Sequence, residues 1–170
     1  ETFRDGKATA VGMATGAVAG LVGITPAAGF VSPASGILIG AITSSLCYIS
    51  VKVKIKLSFD DSLDTFAVHG VGGTVGAILT GFFAKAELIS SHPAGLVLAE
   101  QGRIGLVLGQ FQAVLIAYGI AAFGTLIIAL LLKSLGCNYR VEKAEEDAGL
   151  DISEHGEEAY VERTGSPNAI

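Results

Sequence analysis

The sequence predicts an all-α membrane protein: four transmembrane helices followed by a polar tail. Three observations lead there. Apolar residues make up 51% of the chain and charged residues only 16%, against about 25% charged in typical globular domains; the mean hydropathy is +0.60. No Asp, Glu, Lys or Arg occurs within residues 8–51, 65–84 or 104–132. The acidity is segregated: residues 136–170 hold three basic and nine acidic residues in a chain of net charge −5. A spanning helix needs about 20 apolar residues, so the first gap accommodates two helices and each of the others one. Residues 1–135 are therefore read as the transmembrane region and 136–170 as a tail.

The first span is placed at 8–24 and ends where Thr25-Pro26-Ala27-Ala28-Gly29 breaks helix continuation. Pro33 suits the first turn of the second span, placed at 33–51 and closing at Lys52, Lys54 and Lys56. Val51–Leu57 also alternates like a strand. Lysines at a span's end snorkel toward head groups, whereas an open strand in lipid leaves its backbone unpaired, so the helical reading is preferred. The third span is placed at 61–84, with Asp61 as N-cap and Asp64 favoured by the helix dipole. After a loop containing Ser90-Ser91-His92-Pro93, the fourth span occupies 104–132.

Small residues recur at one-turn spacing: Gly12, Gly16 and Gly20 on the first span, Gly36 and Gly40 on the second, Gly72 and Gly76 on the third. Such faces permit close helix packing. Lysine and arginine bias sets the orientation. With Arg4, Lys7, Lys52, Lys54, Lys56, Lys133, Arg140 and Lys143 inside and Lys85 and Arg103 outside, both termini are expected in the cytoplasm. The opening Glu1-Thr2-Phe3-Arg4 lacks Met and a signal-peptide pattern, so the chain reads as the C-terminal part of a longer polytopic protein.

His69 is the one ionisable side chain well inside a span, about eight residues from the expected helix start. Intramembrane histidines usually face a bundle interior or a cavity, and a neutral imidazole offers one donor and one acceptor to a small polar solute. It could also relay a proton. A bond to a neighbouring helix fits the same placement, because Thr65, Gly72 and Gly73 at helical spacing make its face small and mildly polar. Asp60, Asp61 and Asp64 either cap the helix or attract cations to a vestibule; capping needs fewer assumptions.

The run His69-Gly70-Val71-Gly72-Gly73-Thr74-Val75-Gly76 does not match GxGxxG and lies inside an apolar helix, which excludes nucleotide binding. No nucleophile with a paired base, P-loop or metal-ligand cluster is present, so neither an enzyme nor a cofactor is expected, and no nucleic-acid partner. Cys47 and Cys137 form no CxxC pair and are read as unpaired.

Three segments resemble the ammonium transporter family, whose relatives include the Rhesus proteins. Gly23-Ile24-Thr25-Pro26-Ala27-Ala28-Gly29-Phe30-Val31 is similar to the end of the family's eighth span. The run from Asp61 through Asp64, Thr65 and His69 to Gly73 resembles its tenth. Gly149-Leu150-Asp151, His155-Gly156 and Ala159-Tyr160 resemble its tail motif. The resemblance covers nearly the whole chain, except 163–170.

The resemblance implies the last four spans of an eleven-span fold that assembles as a homotrimer with one pore per subunit. It implies that His69, with Thr65 beside it, lines the pore as the second of two facing histidines, the first lying on the fifth span. Asp61, Asp64, Gly72 and Gly73 would support that helix. Gly149, Asp151, Ser153, His155 and Tyr160 would belong to a regulatory tail that docks on a neighbouring subunit. Ser153 sits where some relatives carry a phosphorylatable threonine. His92 would be an external loop residue. The implied function is ammonium or ammonia transport across the plasma (inner) membrane, with lipid and a cytoplasmic nitrogen-regulatory protein as further partners. The alternatives are an ammonium sensor of the same fold and a helical packing module of another transporter.

Overall fold

A computed structural model describes residues 6–137 and 140–157. The chain divides into two compact units, Glu1–Ile120 and Ala121–Ile170. Among the described residues there is no strand, and four helical segments are long and apolar enough to cross a membrane: Ala10–Ala27, Pro33–Lys56, Phe66–Phe83 and Pro93–Ser134. This is an all-α membrane protein.

Helix α1 (Ala10–Ile24) starts two residues later than expected, where the Thr9 hydroxyl accepts the Gly12 amide at 2.9 Å. It tightens into a single 3₁₀ turn, Thr25–Ala27, at the proline, and Gly29 then reverses the chain at φ 84°. Helix α2 (Pro33–Lys56) is capped by Ser32, whose hydroxyl accepts the Ser35 amide at 3.3 Å, and has Pro33 in its first turn. It runs through the lysine segment instead of closing at 51. Lysine is a good helix former, and Lys54 and Lys56 lie in the last turn, where cations complement the helix dipole. The alternating Val51–Leu57 segment is thus helical up to Lys56.

The third span opens as a π-helical turn, Phe66–Gly70, and continues without a break into α3 (Val71–Phe83). Its start differs from the expected 61. Ser58 and Asp64 both take positive φ (51° and 55°), so the chain from 58 to 64 is an irregular turn. Asp tolerates the left-handed region better than most side chains, and Asp64 uses that freedom to leave the helix rather than join its first turn.

A short helix, α4 (Ala86–Ile89), follows, and then α5 (Pro93–Ser134). Gly102, at φ 71° and ψ −169°, breaks α5, so a helical segment from Pro93 precedes the expected 104–132 span where a loop was anticipated. Only glycine takes that backbone without strain. Arg103, next in sequence, donates to the carbonyls of Ala84 (2.5 Å) and Gly81 (3.4 Å), satisfying the end of α3. Ala84, Ile89 and Leu106 are buried together there, flanked by Phe30, Val97 and Leu98.

Packing among α1, α2 and α3 follows the glycines. A Cβ on Gly20 would lie 3.5 Å from the Gly40 carbonyl, and one on Gly76 would overlap the backbone of Gly23. In lipid no hydrophobic drive separates helix from surroundings, so such close backbone contact is what holds the bundle. Ser44 adds a hydrogen bond to the Gly16 carbonyl at 2.9 Å. Ile39, Thr43 and Cys47 on α2 are buried, with Thr43 filling the notch at Gly23.

In the second unit, α6 (Lys143–Ala148) begins with a capping box between Glu142 and Glu145. Gly149, at φ 97°, separates it from α7 (Leu150–His155), which ends on Gly156 at φ 67°. Arg140 pairs with Glu146 at 3.1 Å on the surface, a contribution of about 0–1 kcal/mol.

Candidate functional site

His69 sits in the π-helical turn, and its neighbours divide by face. Ala67 and Val68 are buried, Val68 in a cluster with Ala19 of α1 and Cys47 of α2. Thr65, Phe66 and His69 are exposed on the opposite side. Gly72 belongs to the packed face, where a Cβ would lie 3.1 Å from the Cys47 sulfur, whereas a Cβ on Gly73 would meet nothing within 4 Å. The structure thus places Thr65, His69 and Gly73 along one open face and Gly72 on the other. His69 makes no hydrogen bond or ion pair to any described residue, which leaves both imidazole nitrogens available.

The turn beneath this histidine is held at both ends. The Asp61 carboxylate accepts the amides of Thr65 and Phe66, each at 2.9 Å. It therefore caps the helix from four and five residues away rather than as the residue next to it. Burial pushes the Asp61 carboxyl up, but the amides of Phe66, Thr65 and Ala67 and the Lys54 charge outweigh that and hold it below the ordinary carboxylate range. Lys54 at the end of α2 pairs with the Asp64 carboxylate at 2.5 Å and donates to the Asp61 carbonyl. The Lys54 and Asp64 side chains are only 14% and 29% exposed, so their attraction is less screened than that of a surface pair. Asp61 thus bonds to the backbone at the start of the turn, and Asp64 pairs with the end of α2.

Along the turn, the Cys47 thiol lies 3.7 Å from the Val68 carbonyl. At its far end the Gly70 carbonyl accepts from the Thr74 hydroxyl at 2.8 Å and from the Tyr118 hydroxyl of α5 at 3.1 Å, while those two hydroxyls are 2.8 Å apart. Single π-helical turns are rare and concentrate at functional sites, and they displace carbonyls from the α-helical pattern, which gives side-chain donors a role.

Sequence reasoning missed Lys54, Cys47, Thr74 and Tyr118. Lys54 was readable only as a membrane boundary, and Cys47 as an unpaired residue. Both cysteines are indeed free, Cys47 buried and Cys137 exposed. Tyr118 could have drawn attention as a hydroxyl within an uncharged span, since a phenol there requires a partner.

Elsewhere, the Ser153 hydroxyl donates to the Gly149 carbonyl at 3.1 Å, and Asp151, Ser153 and His155 lie on α7 just after Gly149, all exposed. Tyr160 lies outside the described residues. The His92 Nδ1 accepts the Ala94 amide at 3.2 Å, and its ring packs at 5.3 Å from Phe30. That is a helix-start contact with aromatic packing. Among the described residues, no group of three or more His, Cys, Asp or Glu side chains is placed to hold a metal ion.

The profile of the Ammonium Transporter Family matches residues 1–160. The chain is 42% identical over 155 residues to the ammonium transporter of Bacillus subtilis, covering 91% of this chain and 37% of that protein. Its fold is similar to the crystal structure of Saccharomyces cerevisiae Mep2 (TM-score 0.65, 35% identity, 96% of this chain and 37% of that one). It is also similar to a Sensor Amt Protein (TM-score 0.74, 31% identity, 90% of this chain and 36% of that one). The chain thus spans about a third of the length of the relatives it matches. With four apolar spans, the His69 segment and a profile match over nearly its whole length, the chain belongs to the ammonium transporter family.

Proposed function

We propose that this chain supplies one wall of the permeation path in a membrane ammonium transporter, with His69 as the group that meets the solute. The observation that carries the reading is the open face of the π-helical turn: His69 is exposed beside Gly73, which leaves space, while the rest of the turn is anchored. A charged group at the bilayer centre costs about 3 kcal/mol on insertion scales, whereas neutral ammonia needs only hydrogen-bond partners. A neutral imidazole donates from one nitrogen and accepts at the other, so it matches ammonia, which does both. In this reading a second histidine from an earlier span faces His69, as the family resemblance implies, and Thr65 lies on the same wall.

The same reading places both ends of the chain in the cytoplasm, the assembly as a homotrimer in the plasma (inner) membrane, and the segment with Gly149, Asp151, Ser153, His155 and Tyr160 as a regulatory tail. There a cytoplasmic nitrogen-regulatory protein or a neighbouring subunit docks. A phosphate on Ser153 would add about −1.5 to −2 charge beside Asp151 and Glu154 and weaken that docking. Sensing by the same fold finds support in the likeness to the Sensor Amt Protein; transport is placed first because the relatives by sequence are named ammonium transporters.

The test is ammonium-driven pH change in vesicles carrying the full-length protein. Transport predicts a faster change than in protein-free vesicles. Equal rates with correctly inserted, assembled protein would leave sensing as the better reading.

A further inference from the structure

We infer that Tyr118 is a positioning residue for His69, tying the π-helical turn to α5 through the Gly70 carbonyl; the inference rests on the transport reading above. Tyr118 lies midway in sequence between Arg103 and Lys133, the charges that bound its uncharged stretch. Tyr118 as a residue is 41% exposed, and at this depth its hydroxyl finds a protein partner or stays unbonded at a cost, because hydrocarbon offers it none. The partner it takes is the carbonyl of the residue directly after His69, at 3.1 Å. No other hydrogen bond to the turn Phe66–Gly70 among the described residues comes from α5.

Proton counting sharpens the arrangement. Tyr118 and Thr74 each own one hydroxyl proton, and three short contacts join them and Gly70. Two protons serve two of the three contacts at a time. Both hydroxyls donate to Gly70, or Thr74 donates to Gly70 and Tyr118 to Thr74, or Tyr118 donates to Gly70 and Thr74 to Tyr118. Gly70 is satisfied in all three, and in all three α5 is linked to the turn. Removing the phenol hydroxyl leaves the Thr74 bond to Gly70 intact, so the helix survives and only the link to α5 is lost. Removing the Thr74 hydroxyl leaves Tyr118 free to donate to Gly70, so the link persists. The two hydroxyls are therefore not equivalent, although both touch the same carbonyl.

Consequently Tyr118→Phe should let the turn shift and Thr74→Val should not. Small displacements of a positioned group have large effects on the step it serves. The readout is the ratio of methylammonium to ammonium flux through the full-length protein in vesicles, because a misfolded fraction lowers both fluxes and leaves the ratio unchanged. A fixed imidazole holds the path to the smaller solute; a loosened one admits the larger. We expect Y118F to raise the ratio about threefold, the scale of one lost hydrogen bond, and T74V to stay near wild type. His69→Ala is measured alongside. If H69A moves the ratio and Y118F does not, the positioning role is overturned and the transport reading stands. If T74V moves it as far as Y118F, the local bond within the helix is what matters and the link to α5 is overturned. If H69A matches wild type in both fluxes, the transport role of His69 falls, and this inference with it.

Discussion

Along the helix that carries His69, the face turned toward α1 and α2 buries Ala67, Val68, Gly72, Gly76 and Thr80, while the opposite face leaves Thr65, Phe66 and His69 exposed. The first face is closed by backbone: Gly76 meets Gly23 so closely that a Cβ has no room. The second has room for side chains and little to fill it. A helix held rigidly from one side can present a polar group on the other without that group contributing to its own support. The ends repeat the pattern, since Asp61, Lys54 and Tyr118 hold the turn through backbone groups and leave the imidazole untouched.

The largest effect that would break this contrast comes from filling the closed face. Gly76→Val places side-chain atoms where the Gly23 backbone lies, and overpacking of this kind costs about 3 kcal/mol or more. Thermal unfolding of the purified full-length protein should show a large drop, or the protein should fail to assemble. An unfolding temperature near wild type would mean that α1 and α3 are not packed as described.

A smaller effect belongs to the clamp below the turn. The Asp61 carboxyl is held below its ordinary range, so its stabilisation is fully present above the unfolded-state value and is lost as pH falls through the folded-state value. Asp61→Asn should therefore lower stability near neutral pH and flatten the acid side. As pH falls through and below the ordinary carboxylate range, its unfolding midpoint should fall less than that of the wild type. Parallel acid profiles for the two proteins would remove Asp61 from the capping role.

The smallest effect is expected on the open face. Gly73→Ala adds a methyl that meets nothing within 4 Å and replaces glycine with a better helix former, so stability should rise slightly, by about 0.5–1 kcal/mol. A clear loss would place a neighbour against Gly73 and close the face that the functional reading needs open.

Much of this architecture was legible beforehand, and the reasons are physical. Uncharged stretches long enough to cross a bilayer leave few alternatives to helices, and the one-turn pairs Gly16/Gly20, Gly36/Gly40 and Gly72/Gly76 mark close contact because only backbone can fill the space that they leave. His69 stood out because an ionisable group inside an apolar span is costly enough to require a reason. What escaped depended on tertiary placement. Asp64 looks like a first-turn acidic residue until Lys54, ten positions earlier in sequence, draws it into an ion pair at positive φ. The π-helical turn has no composition of its own, since one extra residue per turn changes hydrogen bonding without changing hydrophobic pattern. Gly102 reads as one more glycine of a membrane chain until its φ is known. Tyr118 gains its meaning only once α5 lies beside Gly70, 48 residues away in sequence.

In the proposed function the exposed imidazole of His69 meets the solute and does not hold the bundle together. The most direct test is ammonium flux through vesicles that contain equal amounts of assembled full-length wild-type protein or His69→Ala. Assembly and unfolding temperature should be unchanged, with a change in flux of about tenfold, the scale of one to two lost hydrogen bonds. Wild-type flux with intact assembly would contradict it, as would loss of assembly, which would make His69 a packing residue after all.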